Sequence, residues 1–244
     1  MISAVRLADD ATPLEKYVFK PLPGSSHHWA VSYFKGDSLQ ETTKVKGKKI
    51  LDIGAGGGGM GRVLRELGAD QITAIEIDPL ASEAIASVYD GVYQDIEPIK
   101  GRTYDVILLL DVLEHMSDPF AFMVEVEKLL APGGRAVISV PNIAHWSIRL
   151  GLLFGRFEYV SRGILDRTHL QFFTRRRFKE LLSSAQSCVV EQMASSIEPV
   201  ELVLPEFLTN NRVFRNMSTL RWKFAQCIPG LMGYQHLGVI RKLV

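Results

Sequence analysis

A charge of one sign, a cysteine framework and a long apolar run are all missing from this sequence. Its 28 basic and 27 acidic residues leave a formal net charge of +1. No global field therefore attracts nucleic acid or an anionic surface, and nucleic acid is not an expected partner. The only cysteines, Cys188 and Cys227, lie far apart and outside any CxxC or Cys/His spacing. Neither a disulfide framework nor a metal site is signalled, so no metal is expected and a reducing cytoplasm is the expected location. No run of about 18 apolar residues occurs, which argues against a membrane-spanning helix. The opening MISAVRLADDATPLEKY also lacks the apolar core of a secretory signal.

What is present is an ordinary globular composition, 47% hydrophobic and 23% charged over 244 residues, enough to bury a sizeable core. From residue 48 short apolar runs alternate with amphipathic stretches, the rhythm of βα units and a mostly parallel sheet. KKILDIGAG reads as a first strand, followed by a helix from Met60 to Leu67 that Gly68 stops. QITAIE is a second strand, and Asp78-Pro79 then caps a helix running to about Tyr89. A short third strand spans Gly91 to Ile96, and YDVILLL is a fourth, apolar throughout as a strand covered on both faces must be. A helix from Ser117-Asp118-Pro119 and the turn Pro132-Gly133-Gly134 lead into a fifth strand, RAVISV. SCVVEQMAS and YQHLGVIRKL complete the set.

Residues 1–47, with SSHHWAVSYF as a helix, form an expected N-terminal helical cap on a domain spanning 48–244. Two segments, about 141–174 and 196–230, interrupt the rhythm. Ligands of open α/β sheets sit beyond the carboxyl ends of the strands, so insertions there are natural substrate walls.

The glycine-rich string from Asp52 to Gly59 lies where a strand turns into a helix, and its glycines let backbone approach a ligand closely. Its letters satisfy two patterns, DxGxGxG for adenosylmethionine and GxGxxG for dinucleotides. Either ligand wants an acid on its ribose, and Glu76 at the end of the second strand is placed for that. Asp78 is the competitor, but helix capping explains it. Asp52 tips the balance, because a carboxylate suits a cationic amino-acid ligand better than a pyrophosphate.

The strings LDIGAGGGG, AIEID, QDIEPI, DVILLLDVLEHMSDP and LLAPGGRAVISVPN, in this order, resemble the successive motifs of class I methyltransferases over roughly residues 45–182. The resemblance implies a Rossmann-like three-layer α/β/α sandwich whose seven-stranded, mostly parallel sheet has an antiparallel last strand. It implies S-adenosyl-L-methionine as cofactor, with Asp52, Gly54, Gly56 and Gly58 around the methionyl group and Glu76 on the ribose. Ile77 would then lie against the adenine, Asp95 and Ile96 at its edge, and Asp111 beside the methionyl moiety. For Asp95 the competing reading is a turn residue.

DVLEHMSDP and GILDRTHLQFFT are most similar to the branch with ubiquinone-biosynthesis-type O-methyltransferases and methyltransferases of polysaccharide biosynthesis. That branch implies a hydroxyl of a small-molecule, glycan or lipid-linked acceptor. His169 is the candidate base, with Asp166 placed to orient it if that segment makes a helical turn; the competing reading is that the pair pins the loop. His115, His145 and Trp146 are candidate acceptor contacts. Residues 145–180 carry eight basic side chains against three acids, and HWSIRLGLLFGRF suits either peripheral membrane contact or packing on the sheet. The second insertion, with Phe207, Phe214, Leu220, Trp222 and Phe224, suits an acceptor wall or a homodimer surface. Two other readings stay open: an NAD-dependent oxidoreductase on the same glycine turn, and a methyltransferase-like subunit without catalysis.

Overall fold

The computed structural model describes residues 24–35, 45–198, 209 and 211–244. Seven strands form one sheet: β1 (Lys49–Ile53), β2 (Gln71–Ile75), β3 (Gly91–Tyr93), β4 (Tyr104–Leu110), β5 (Leu130–Pro141), β6 (Cys188–Ser195) and β7 (Gln235–Lys242). Their order is β3-β2-β1-β4-β5-β7-β6. The pairs among β1 to β5 are parallel, and β7 runs antiparallel to both its neighbours. The expected fold class is the observed one.

The helices are α1 (Ser26–Lys35), α2 (Gly59–Glu66), α3 (Pro79–Ile85), α4 (Pro119–Leu129), α5 (Trp146–Leu153), α6 (Arg175–Leu182), α7 (Arg212–Cys227) and α8 (Pro229–Met232). They cover both faces of the sheet, because a strand such as β4, apolar at every second residue on both sides, must be buried on both. Ile107 and Leu109 join a core with Met123, Val126, Phe178 and Leu182 of α4 and α6. Val106 and Leu108 join the opposite core with Leu64 of α2, Ile85 of α3, and Ala30 and Phe34 of α1. Burying a residue such as Phe34 or Phe178 contributes roughly 1.5–3 kcal/mol. The helix expected in SSHHWAVSYF thus packs directly on the sheet as part of a main layer.

Asp78 and Asp118 cap α3 and α4 as expected, each accepting an N–H from the third residue on. Two elements end earlier than the periodicity predicts. Helix α3 stops at Ile85 because Tyr89 turns inward, its hydroxyl bonded to Asp52 at 2.6 Å. Strand β3 stops at Tyr93, and Asp95 then accepts the Glu97 N–H to open a 3-10 turn. Strand β5 instead begins earlier, taking in Pro132-Gly133-Gly134 at an irregularity in its register with β4.

The first insertion is closed at its base by a bridge between Asn142 and Phe173. Of the second, α7 and α8 are seen; Phe207 lies outside the described residues. Asn142 ties this segment down, its side-chain amide donating to Gly233 O at 2.7 Å. None of the described helices is long and apolar enough to cross a membrane.

Candidate active site

Strand β1 delivers the chain into a loop where Gly54, Gly56 and Gly58 all have positive φ, at 75°, 51° and 71°. A side chain at Gly54 would meet the Val112 Cγ2 methyl at 2.5 Å, so the turn requires glycine on two counts. Glu76, at the end of β2, is buried and reaches back under this loop. One carboxylate oxygen accepts the Gly56 N–H at 2.6 Å, the other the Asp78 N–H at 3.0 Å. The next residue, Ile77, is 81% exposed, an apolar surface beside a fixed carboxylate. Ile96 is half-buried and Asp95 exposed.

Asp52 is fully committed inside the protein. It is 4% exposed and accepts the Tyr89 hydroxyl; burial pushes its carboxyl up to about 6, against the opposing pull of the Tyr89 hydrogen bond. Sequence reasoning missed Tyr89, which also packs so closely on Gly61 that a Cβ there would touch its ring at 2.4 Å.

Beyond β4 the chain makes an unusual turn. Asp111 is the only non-glycine residue among those described with positive φ, at 59°, a backbone state that neighbours must enforce. Ser139 Oγ donates to its Oδ1 at 2.7 Å, and the Gln235 amide donates to both oxygens at 2.6–2.7 Å. Three residues further, Glu114 is 1% exposed, and neither of its carboxylate oxygens has a partner among the described residues. Burial, then the charge of Asp111, pushes its carboxyl well above the usual range.

The DRTH segment docks on this turn: the Leu170 and Gln171 N–H groups donate to the Glu114 carbonyl at 2.8 and 2.9 Å. His115 and His169 meet edge to face, ring centroids 4.8 Å apart. His115 Nδ1 lies 3.2 Å from Thr168 O, and His169 Nδ1 lies 3.1 Å from Ile164 O. A carbonyl only accepts, so these contacts put the proton on Nδ1 of each ring and leave Nε2 as an acceptor. Glu114, His115 and His169 each offer a ligand atom within 4.8 Å of the others. Such a set can take up a proton or hold a divalent cation. It contains no spacing signal; only the docking of one segment on another creates it.

Asp166 does make the expected turn with His169, whose N–H donates to its carbonyl at 3.1 Å. Its carboxylate, however, caps Thr168 through both N–H and hydroxyl. The His169 ring is held by Ile164 instead, and burial lowers its pKa. His145 is buried as the N-cap of α5, its Nδ1 2.8 Å from the Ser147 hydroxyl and its Nε2 3.1 Å from Glu198. Trp146 is 42% exposed beside it.

Residues 28–192 match the profile of a methyltransferase domain family. The chain belongs to this family. Among its relatives, the ubiquinone biosynthesis O-methyltransferase of Cereibacter sphaeroides is 29% identical over 172 residues, 66% of this chain and 69% of that protein. The mitochondrial enzyme of the same description from Schizosaccharomyces pombe is 34% identical over 147 residues, 56% of this chain and 53% of that one. In fold, an S-adenosylmethionine-dependent methyltransferase from Mesorhizobium loti superposes with a TM-score of 0.54 at 14% identity, covering 90% of this chain and 99% of that chain. This methyltransferase uses S-adenosylmethionine, and the oxidoreductase reading has no support among these relatives. The loop is compatible with that cofactor: its glycines hold a left-handed backbone, the Glu76 carboxylate is fixed beside them, and Ile77 offers an exposed apolar face.

Proposed function

We propose that this methyltransferase acts on a hydroxyl of a small-molecule, glycan or lipid-linked acceptor. The observation that carries this reading is the convergence of Glu114, His115 and His169, three acceptors beside the turn that holds Asp111. The relatives named as ubiquinone biosynthesis O-methyltransferases support the oxygen acceptor.

When bound, the cofactor supplies an electrophilic methyl group on a sulfonium. In this reading Gly54, Gly56 and Gly58 admit its methionyl end, and Asp111 meets the ammonium with a carboxylate locked by Ser139 and Gln235. Glu76 binds the ribose, exchanging the Gly56 or Asp78 N–H for a hydroxyl. Ile77 packs on the adenine, with Asp95 and Ile96 at its edge. Asp52 works from behind the loop through Tyr89. His169 Nε2 receives the acceptor's proton, and His115 and Glu114 share the charge that arrives. Asp166 serves by shaping the Thr168 turn. Much of the acceleration comes from holding the reactants in line, worth several kcal/mol or more.

His145 anchors the acceptor wall through Glu198, while Trp146 is the part of that corner open to an acceptor. Helix α5 buries none of its residues, and Leu152, Leu153 and Phe154 are 51–78% exposed near Arg149 and Arg156. This surface suits a lipid-linked acceptor offered from a membrane, or a second copy of the chain.

A second reading of the same cluster is a divalent cation that polarises the hydroxyl. The Glu114 carboxylate, without a partner among the described residues and within 4.8 Å of a nitrogen of each imidazole, favours it.

The test is to incubate the chain with methyl-labelled S-adenosylmethionine and an extract of its own organism, then identify the labelled product by mass. A methyl ether is expected. An N- or C-methyl product, or no product with or without added cations, would reject the acceptor assignment. Calorimetry with Mg2+ and Zn2+ on the wild type and Glu114→Gln separates the two versions of the cluster.

A further inference from the structure

The three arginines that open α6 have different surroundings. Arg176 is exposed and pairs with Glu180 at 3.2 Å. Arg177 donates to the Gln171 side-chain oxygen at 3.0 Å and lies over the rings of Phe120 and Phe173. Arg175 turns inward, and its Nη1 is buried without an acceptor among the described residues. A guanidinium cannot shed its charge, so a buried N–H left unpaired carries a standing cost.

Phe178, one turn further along the same helix face, stacks on His236 of β7 with ring centroids 5.8 Å apart and planes at 22°. His236 is 0% exposed, and both its ring nitrogens lack a partner among the described residues. Burial, then the Arg175 charge, pushes its pKa down to about 3 and keeps it neutral, with one N–H to give. Ser195, directly opposite His236 in the β6–β7 ladder, has a buried hydroxyl with no partner among the described residues. At the start of α6, Thr174 Oγ1 takes the Arg177 N–H, which leaves earlier amides at the positive end of the helix dipole. His236 pairs across from Val140 near the end of β5. It therefore lies at the same rim of the sheet as Gln235 and the Asp111 that Gln235 holds.

We infer that Arg175, His236 and the first turn of α6 form a site for an oxyanion, a carboxylate or phosphate borne by the acceptor. An unpaired guanidinium, an imidazole N–H and helix amides all ask for the same thing, an anionic oxygen. That the anion belongs to the acceptor rests on the reading of this rim as the acceptor side. That an anion binds there does not.

The test titrates inorganic phosphate and, separately, acetate into the isotopically labelled full chain. It follows the Arg175 side-chain N–H and His236 ring resonances. One of the two anions is expected to shift both signals saturably, and Arg175→Gln to weaken that binding by roughly 10- to 100-fold, as loss of a charge-assisted contact implies. Arg176→Gln leaves it unchanged. Arg175→Lys, which keeps the charge without the fork, retains part of it and carries the comparison if Arg175→Gln does not fold. Saturation by phosphate assigns a phosphorylated acceptor, and saturation by acetate a carboxylated one. No shift with either anion, or equal shifts in wild type and Arg175→Gln, overturns the site. S-adenosylmethionine affinity, read by calorimetry on the same variants, stays at the wild-type value. A chain that binds either anion here yet methylates no hydroxyl keeps the site and loses the acceptor reading; methyl-ether formation without anion binding does the reverse.

Discussion

The glycine loop proposed for the cofactor and the histidine rim proposed for the acceptor differ in how much chain it takes to build them. The loop, its acid and its apolar platform come from one βαβ unit: Gly54 to Gly58 follow β1, while Glu76 and Ile77 end β2. The rim draws on the turn after β4, which carries Glu114 and His115, and on the DRTH segment of the first insertion, which carries His169. Local geometry makes the first, and docking makes the second. Substitutions in the loop should therefore act on binding, whereas those at the rim should act on turnover.

Gly54→Val should break the cofactor end most severely. It places a branched side chain at φ +75°, against Val112, and calorimetry should find no measurable S-adenosylmethionine binding. Retained affinity would mean that the turn does not face the ligand. At the rim, His169→Ala should lower turnover by roughly 10²–10⁴-fold with cofactor affinity nearly intact. A parallel loss of melting temperature and cofactor binding would move His169 from chemistry to loop packing and erase the contrast.

Glu76→Ala is expected to weaken cofactor binding by about 1–3 kcal/mol through loss of a charged acceptor. Unchanged calorimetric affinity would sink the ribose role. A pH effect of similar size, on stability instead of binding, sharpens the comparison. The Asp52 carboxyl is raised from 3.8 to about 6 in the folded chain, so its protonation favours the fold most below the unfolded value. That contribution is lost as pH rises through about 6. Asp52→Asn, which still offers an oxygen to Tyr89, should therefore gain stability relative to wild type between pH 4 and pH 7, on the order of 1–3 kcal/mol. Melting curves that stay parallel across that range would show that Asp52 is not the titrating group.

Glycines flanked by a strand and a helix, an acid at the end of the next strand, and the capping aspartates Asp78 and Asp118 are visible in the sequence because each depends on neighbours a few residues away. The same holds for the alternating strands. The expected orientation of His169 by Asp166 went astray at the side chain. Sequence spacing places the turn, but the choice between the Asp166 carboxylate and the Ile164 carbonyl depends on how the loop folds back. Likewise, nothing in the spacing of Tyr89 and Asp52 shows that a helix ends early so that one can reach the other.

The sequence by itself determined the run of parallel βα units and the position of the glycine turn, since periodicity and backbone sterics act over short stretches of chain; the layers and the antiparallel last strand were implied by the resemblance to class I methyltransferases. Only the tertiary structure decided that Glu114 is buried beside two imidazoles, that Asp111 is locked by a glutamine from the last strand, and that one arginine of three turns inward. Those outcomes depend on which surfaces meet and which polar groups lose their water, and burial of that kind has no signature in the order of residues.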